Sequence, residues 1–519
     1  MKIFSKQFMV FFAALLVSNQ ALGEGDVSTF LESDLRFTVP GKDPIQGELA
    51  NRVLRMENTA GIRGYFGNDQ AGAFFDGKLV FWGFIDEGRL DGLNDRTFMD
   101  KYRIESDGLY VEFIDMWQSG LDLRLGRQIV HWGSADQFNP TNPVNALDLE
   151  DPIKFGDRVA NEMIYLTWNL PWTWETGDGQ TGNGAILEEM SLSLVVVPVF
   201  RSSTIPESGL LVMNEPRLLA QLVNTPGLVQ MAKLNDLFAE NGGTVIVDVE
   251  NVNQPAVSID NMQYGAHLEW TLLGFNLGLS YYRGYADVPN AWKIDLDVKD
   301  KTGKDLIPAL NVVLDAEDSD LRDFELVKTL IDTNIVPLDG TTAKTIIQLG
   351  YPRMQMFGGQ FTGSLDFLGG LGIWAEVAGF VHEGFNLDLD VGNKRVTEVL
   401  ADTFIKVAAG MDYSIFSWWY LNLQYLHGFV DEYGAENLDD YMVAVNDFKL
   451  FDGAVTTRIS VILNFQDKSG VLYPNLIMNL FENSAIDLGA FVYFGGFETK
   501  FGSPAAGPNS VFLRGRYSF

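Results

Sequence analysis

The 519-residue chain has no cysteine, so disulfides and thiolate metal sites are excluded, and its fold must rest on packing and backbone hydrogen bonds. Histidine is nearly as scarce. His131, His267, His382 and His427 stand apart, with no H-E-x-x-H helix and no G-x-S-x-G elbow in the sequence. His131 lies near Ser134 and Asp136, but three residues of one loop are not a triad, and a loop-bound rim histidine is the simpler reading. The glycine-rich Gly369–Gly372 has no phosphate-loop lysine behind it. No enzyme, metal site or cofactor is expected. Basic residues are also few, 37 against 69 acids for a net charge of -32, which excludes the basic face that nucleic acid requires.

Long hydrophobic runs are missing too. Phe8–Val17 is apolar, follows Lys2 and Lys6, and precedes Ala21 and Gly23; this is the pattern of a cleaved signal peptide over residues 1–23, too short to span a membrane. Beyond it the best candidate, Leu368–Val381, is broken by Glu376 and by glycines. Yet the chain is 46% hydrophobic and 13% aromatic, too apolar for disorder. If residues 24–519 enter a membrane, they do so as one closed β-barrel.

Period-two alternation dominates what is present. In Gln355–Asp366, Phe357, Phe361 and Leu365 alternate with Gln360, Thr362 and Asp366. Ile405–Tyr413, Val455–Leu463 and Ile486–Phe494 repeat the pattern. The spacing predicts an all-β, antiparallel up-and-down transmembrane barrel of about 16 strands, within 16 to 18. Short inner turns fall near Gly67–Ala71, Gln118–Gly120, Leu272–Gly274, Leu368–Gly370 and Ser414–Trp418. Long outer loops fall at Pro40–Asn51, Glu87–Met99, His131–Asp157, Phe200–Ser258, Ala286–Gly350, Gly384–Leu400 and Val430–Asp452. Two inner links, Pro171–Ile186 and Gln466–Ser484, are long for that role. Helical spacing appears in Leu228–Glu240 and Asp320–Asp332. A first strand near Val27 leaves no room for the plug of an energy-coupled transporter.

The stretch LDLRLGRQIVHWG, Leu121–Gly133, sets the lumen assignment. Leu121, Leu123 and Leu125 face lipid and Arg124 faces the lumen, because arginine on the lipid face costs roughly 2–4 kcal/mol at the bilayer midplane. Strict alternation then turns Arg127 outward. A bulge at Gly126 would bring Arg127 and His131 inward and put Val130 and Trp132 outward; the rival is strict pleating with Arg127 snorkelling to the headgroups. The candidate lumen or constriction residues are Arg124, Arg127, Gln128, His131, Gln360, Asp366, Glu376 and Arg458. Assigned lumen charges roughly cancel, so the acid surplus lies in the outer loops: Ala286–Gly350 carries 13 acids against 7 bases. Such a rim attracts cations, including divalent ions bridging to lipopolysaccharide.

The chain ends VFLRGRYSF. Tyr517 and the terminal Phe519 on one face resemble the signal read by the outer-membrane barrel assembly machinery. Four segments carry a wider resemblance: GRQIVHWGSADQFNPTNPVNALDLEDP, then VVVPVFRSSTIP, then MQYGAHLEWTLLGFNLGLSYYRGYADVPN, then YPRMQMFGGQFTGSLDFLGGLGIWAEVAGF. They resemble a proteobacterial family of porin-like outer-membrane barrels catalogued as a domain of unknown function and distantly similar to alginate-export porins. The resemblance implies a monomeric porin-type barrel, with Arg127, Gln128, Trp132, Asn139, Pro140, Arg353 and Glu376 as family positions. Some members are suspected of moving hydrophobic or lipid-like compounds.

The function expected is an outer-membrane channel for passive or semi-selective passage of small solutes. Two alternatives stand behind it: a conduit for hydrophobic molecules along inward Trp374, Phe491, Tyr493 and Phe512, and a plugged barrel serving structure or surface interaction. Outer-membrane lipid, lipopolysaccharide and the assembly machinery are the partners expected, with a small-molecule cargo of unspecified class.

Overall fold

The computed structural model describes residues 25–39, 53–85, 102–135, 137–154, 156–172, 174–175, 185–204, 242–304, 340–383, 386–391, 394–399, 403–479, 481–496, 499–502 and 506–519. The expected signal peptide and both expected helices, Leu228–Glu240 and Asp320–Asp332, lie outside the described residues.

Eighteen strands form one closed antiparallel barrel: Gly25–Thr38, Val53–Gly67, Ala71–Ile85, Tyr102–Met116, Leu121–Gln128, Asn161–Asn169, Ala185–Val197, Gln263–Leu272, Phe275–Tyr285, Arg353–Leu365, Leu371–His382, Phe404–Phe416, Trp419–His427, Asp440–Leu450, Val455–Asn464, Gly470–Met478, Ser484–Phe494 and Ser510–Ser518. Each pairs with the barrel strand before and after it. The last returns to the first, with Phe30 opposite Ser518 and Thr38 opposite Ser510. Beyond the ladder, Phe519 and Thr29 exchange backbone bonds of 2.8 and 2.9 Å. Among the described residues, no strand of the barrel is left as an edge to expose unpaired amides.

The faces are inverted relative to a soluble protein. Leu31, Leu109, Leu279, Phe357, Val377, Ile405, Leu488 and Leu513 are exposed outward, whereas Arg36, Glu112, His267, Gln360, Glu376, Asp447 and Asp487 are buried inward. Tyr517 and Phe519 are exposed and stack at 5.9 Å. This is the alternation of a barrel with an apolar outer band and a polar lumen.

Two strands exceed the sixteen counted from spacing, and both have a physical reason. Asp440–Leu450 was absorbed into the expected outer loop Val430–Asp452 because Asp440, Asp447 and Lys449 give it a loop's charge. Asp447 in fact turns inward to Arg458. Gly470–Met478 occupies the overlong link Gln466–Ser484 and carries Pro474, which lacks an N–H; its ladder to Ser484–Phe494 is interrupted there, between Leu472 and Asn475.

Three expected outer loops also contain structure. Thr244–Asn253, Asn290–Lys299, Thr342–Gly350, Asn386–Val391 and Lys394–Val399 form a separate five-stranded sheet. Two of its joints are parallel. Ile294, Val298, Ala343 and Ile347 are buried in it, and Lys293, Asp295, Asp297 and Lys299 fill the alternate positions of the strand Asn290–Lys299.

The bulge expected at Gly126 does not occur. Leu125, Gly126 and Arg127 keep register with Val111, Tyr110 and Leu109 on one side and with Ile164, Met163 and Glu162 on the other. Arg127 therefore stays on the outer face with Leu125, donating to the Ser106 carbonyl at 2.7 Å and pairing with Glu162 at 3.2 Å. A local carboxylate and carbonyl solve the problem that a bulge would have solved. Val130 and Trp132 are correspondingly inward, both buried. Gly126 is still required, because its φ is +131° and a Cβ would collide with the Leu109 carbonyl oxygen. Gly126→Ala is expected to destabilise the barrel by about 1–3 kcal/mol, measured as a lower urea midpoint for loss of the compact form on unheated gels.

Candidate functional site

The long connection after Gln128 does not leave the barrel. Its Asn- and Pro-rich sequence lets side chains replace a ladder. Asn145 accepts from the Val130 amide at 2.8 Å and donates to the carbonyls of Gln128 and Val159 at 3.2 and 3.0 Å. Asn142 donates to the Val130 carbonyl at 2.8 Å, and Asn139 bonds the Trp132 carbonyl. Arg158 gathers the carbonyls of Asn142 and Asn145 at 2.7 and 2.9 Å. The result is a self-supporting loop over 129–160.

Glu376, on Leu371–His382, holds one side of this loop. Its carboxylate is fully buried and accepts from the amides of Ser134, Ala135 and Thr141 at 2.5, 2.6 and 3.3 Å and from the Thr141 hydroxyl at 2.8 Å. Gly133 makes the approach possible, at φ +87° and with a Cβ position only 2.5 Å from the carboxylate. Trp132 lies over Gly265 and stacks on His267 at 5.3 Å.

Asp151 holds the other side. It accepts from Arg36 at 2.6 Å and Arg55 at 3.0 Å, while Asp34 accepts from Arg36 at 2.6 Å and Glu150 pairs with Arg103 at 3.0 Å. Arg36 and Arg55 are 2% and 1% exposed. These arginines stand on the first two barrel strands and Glu376 on the eleventh of eighteen, half a circumference away. The loop therefore crosses the lumen.

Toward the short-turn end, cross-strand pairs line the wall. Arg63 meets Asp76 at 2.9 Å, Arg124 meets Glu112 at 2.9 Å, Arg458 grips Asp447 at 2.6 and 2.7 Å, and Arg514 meets Asp487 at 2.5 Å. The arginine side chains are 27–56% exposed and their carboxylates 1–10%. Lumen water thus meets guanidinium, with the acids tucked behind it.

The sequence-derived candidates divide accordingly. Arg124 and Arg458 belong to this belt, Glu376 and Gln128 to the loop's attachment, and Gln360 pairs in register with Glu376 on the inner wall. His131 is on the loop; burial and then the charge of Arg158 lower its pKa, so it is neutral at pH 7. Arg127 is outside, as described. Asp366 is also corrected: it opens an exposed turn, Asp366–Leu368, at the short-turn end, because the strand ends one residue earlier than its alternation suggests. Asp151, Arg36, Arg55 and Arg158 are not legible as lumen residues in the sequence. An arginine two residues from an aspartate in the first strand was the one available signal.

No protein-family model matches this chain, and no curated protein does, so the likeness of the quoted segments remains a resemblance. Solved structures similar to it include OccAB3 of Acinetobacter baumannii, 11% identical over 96% of this chain and 99% of that one, with a TM-score of 0.46. OccK9 (OpdG) of Pseudomonas aeruginosa is 9% identical over 96% and 98%, with a TM-score of 0.45. OmpF of Salmonella typhi, solved with daunomycin, is 9% identical over 96% and 98%, with a TM-score of 0.35. At these identities and scores no residue role passes from those proteins to this one.

Asp151→Ala would leave Arg36 and Arg55 short of a buried counter-charge and is expected to cost about 3–5 kcal/mol. The checks are urea unfolding and limited proteolysis, with new cleavage inside 129–160.

Proposed function

We propose that this protein is a porin-like channel of a bacterial outer membrane that passes small hydrophilic solutes through a lumen narrowed by the loop at 129–160. The observation that carries the reading is the loop's attachment to opposite walls, at Glu376 and at Asp151, above a belt of water-facing arginines. A loop held at both ends sets a fixed cross-section, and cationic groups at the wall set ion preference. Membrane lipid and lipopolysaccharide around the apolar band, and the assembly machinery at Tyr517 and Phe519, are the partners this reading entails.

A second reading has its own support. Tyr473 and Phe491 stack inward at 4.6 Å, with Phe512 5.8 Å from Phe491, beside the ladder interruption at Pro474. Such a patch suits a hydrophobic cargo.

Single-channel recording in planar bilayers separates the two. Discrete conductance steps are expected, with anions preferred, and Arg124→Ala plus Arg458→Ala should lower the anion-to-cation permeability ratio about twofold. Glu376→Ala should raise or destabilise the conductance level by freeing the loop. Silence of both the intact protein and Glu376→Ala would abandon the hydrophilic channel for the hydrophobic conduit or a plugged barrel.

A further inference from the structure

On much of the wall the outward face is uncharged. In Val455–Asn464 and Ser484–Phe494 it consists of Val455, Thr457, Ile459, Val461 and Leu463, and of Ile486, Leu488, Ala490, Val492 and Phe494. One sector departs from this, at the long-loop end of the wall between Leu121–Gln128 and Leu371–His382. There Arg127 and Arg201 share Glu162, Arg127 at 3.2 Å from its carboxylate and Arg201 gripping it at 2.8 and 3.0 Å. Three strand spacings along, about 14 Å, Arg283 and Arg353 share Glu383 at 2.9 and 3.5 Å.

Arginines thus outnumber their carboxylates four to two, and each keeps a donor in reserve. Nη2 of Arg127 and Nη1 of Arg201, Arg283 and Arg353 have no hydrogen-bond partner among the described residues. Asp260 offers Arg353 its backbone carbonyl at 2.9 Å, and its carboxylate forms no ion pair among those residues. Directly below, toward the membrane, the same face is apolar: Ile164, Leu194, Leu279, Phe357 and Val377 are 41–55% exposed. A surplus of guanidinium above an apolar strip is the complement of an amphiphile whose phosphates sit above its acyl chains.

We propose that this sector binds lipopolysaccharide of the outer leaflet, with phosphate oxygens on Arg127 and Arg201 and on Arg283 and Arg353, and acyl chains over Leu279 and Phe357. An acidic protein surface could meet the arginines but not the strip beneath them, which faces lipid. The two arginine pairs, one to each carboxylate, favour a lipid with more than one phosphate over a singly charged phospholipid. The inference rests on the outer-membrane reading but not on conduction, since binding is read without current.

The test mixes the refolded, detergent-solubilised protein with lipopolysaccharide, separates the complex by size exclusion and measures retained lipid phosphate per barrel. Saturable retention is expected, and it should persist in EDTA because arginine, not a bridging divalent ion, holds the phosphate. Arg201→Gln plus Arg283→Gln leaves each carboxylate one arginine and should lower retention at least about fivefold, with unheated gel mobility confirming a closed barrel. Lys449→Gln removes a cation at the short-turn end and should change nothing. Equal retention by the double variant, loss of retention in EDTA, or equal retention of dephosphorylated lipopolysaccharide or of phosphatidylglycerol would each overturn the assignment. Failed retention alongside clear conductance steps would remove this inference and leave the channel; silence in bilayers with retention intact would do the reverse.

Discussion

The inner architecture depends on one buried carboxylate. Glu376 has no exposed surface and none of its hydrogen-bond partners is a cation: it is satisfied by three backbone amides and the hydroxyls of Thr141 and Ser134 from the crossing loop. An ionised carboxylate removed from water is tolerated only when its lone pairs are met in this way. The dependence runs in both directions. The Ser134, Ala135 and Thr141 amides, in a loop without a ladder, need acceptors as much as Glu376 needs donors. Small residues then allow the approach: Gly133 at the carboxylate itself, and Gly358, where a Cβ would lie 3.0 Å from the Thr141 side chain.

At the loop's other end the chemistry is reversed. Asp151 is a single acid shared between two deeply buried arginines, so the wall supplies cations and the loop supplies the anion. Between these anchors the loop is held by its own asparagines. Removing one group at either anchor strands a charge or a set of amides, whereas a change on the loop's free surface strands nothing; sensitivity should therefore concentrate at the two attachments.

Much of this is readable from the chain, and the misses have two kinds of cause, one long-range and one local. Alternation in Gln355–Leu365 and Ile405–Tyr413 placed Gln360 and Lys406 inward, since a barrel strand needs only its own period to declare its faces. The sequence leaves Arg127 open between an inward bulge and strict pleating with the arginine outward; the register follows the second, and the partner that makes it tolerable, Glu162, lies 35 residues away and becomes a neighbour only through strand pairing. Asp440–Leu450 and Gly470–Met478 failed on local grounds, one through acidity and one through Pro474. The crossing of the loop was not readable at all. It rests on Glu376 meeting residues about 240 positions earlier, and nothing in a period-two pattern reports on what enters the lumen.

The chain's acidity is a poor guide to the field a solute meets. The net charge of -32 is a property of the whole sequence, in which the stretch 286–350 alone has 13 acids against 7 bases. In the wall each of four acids lies behind an arginine that is several-fold more exposed. At physiological ionic strength charges are screened over about 8 Å, and the belt lies toward the opposite end of the barrel from those loops, beyond the crossing loop. Acids of the loops beyond the crossing loop therefore do not set the field at the belt. If the lumen conducts as proposed, preference would be decided where the passage is narrow enough for wall charge to exceed screening, at the arginine belt and the crossing loop rather than at the loops that dominate the composition.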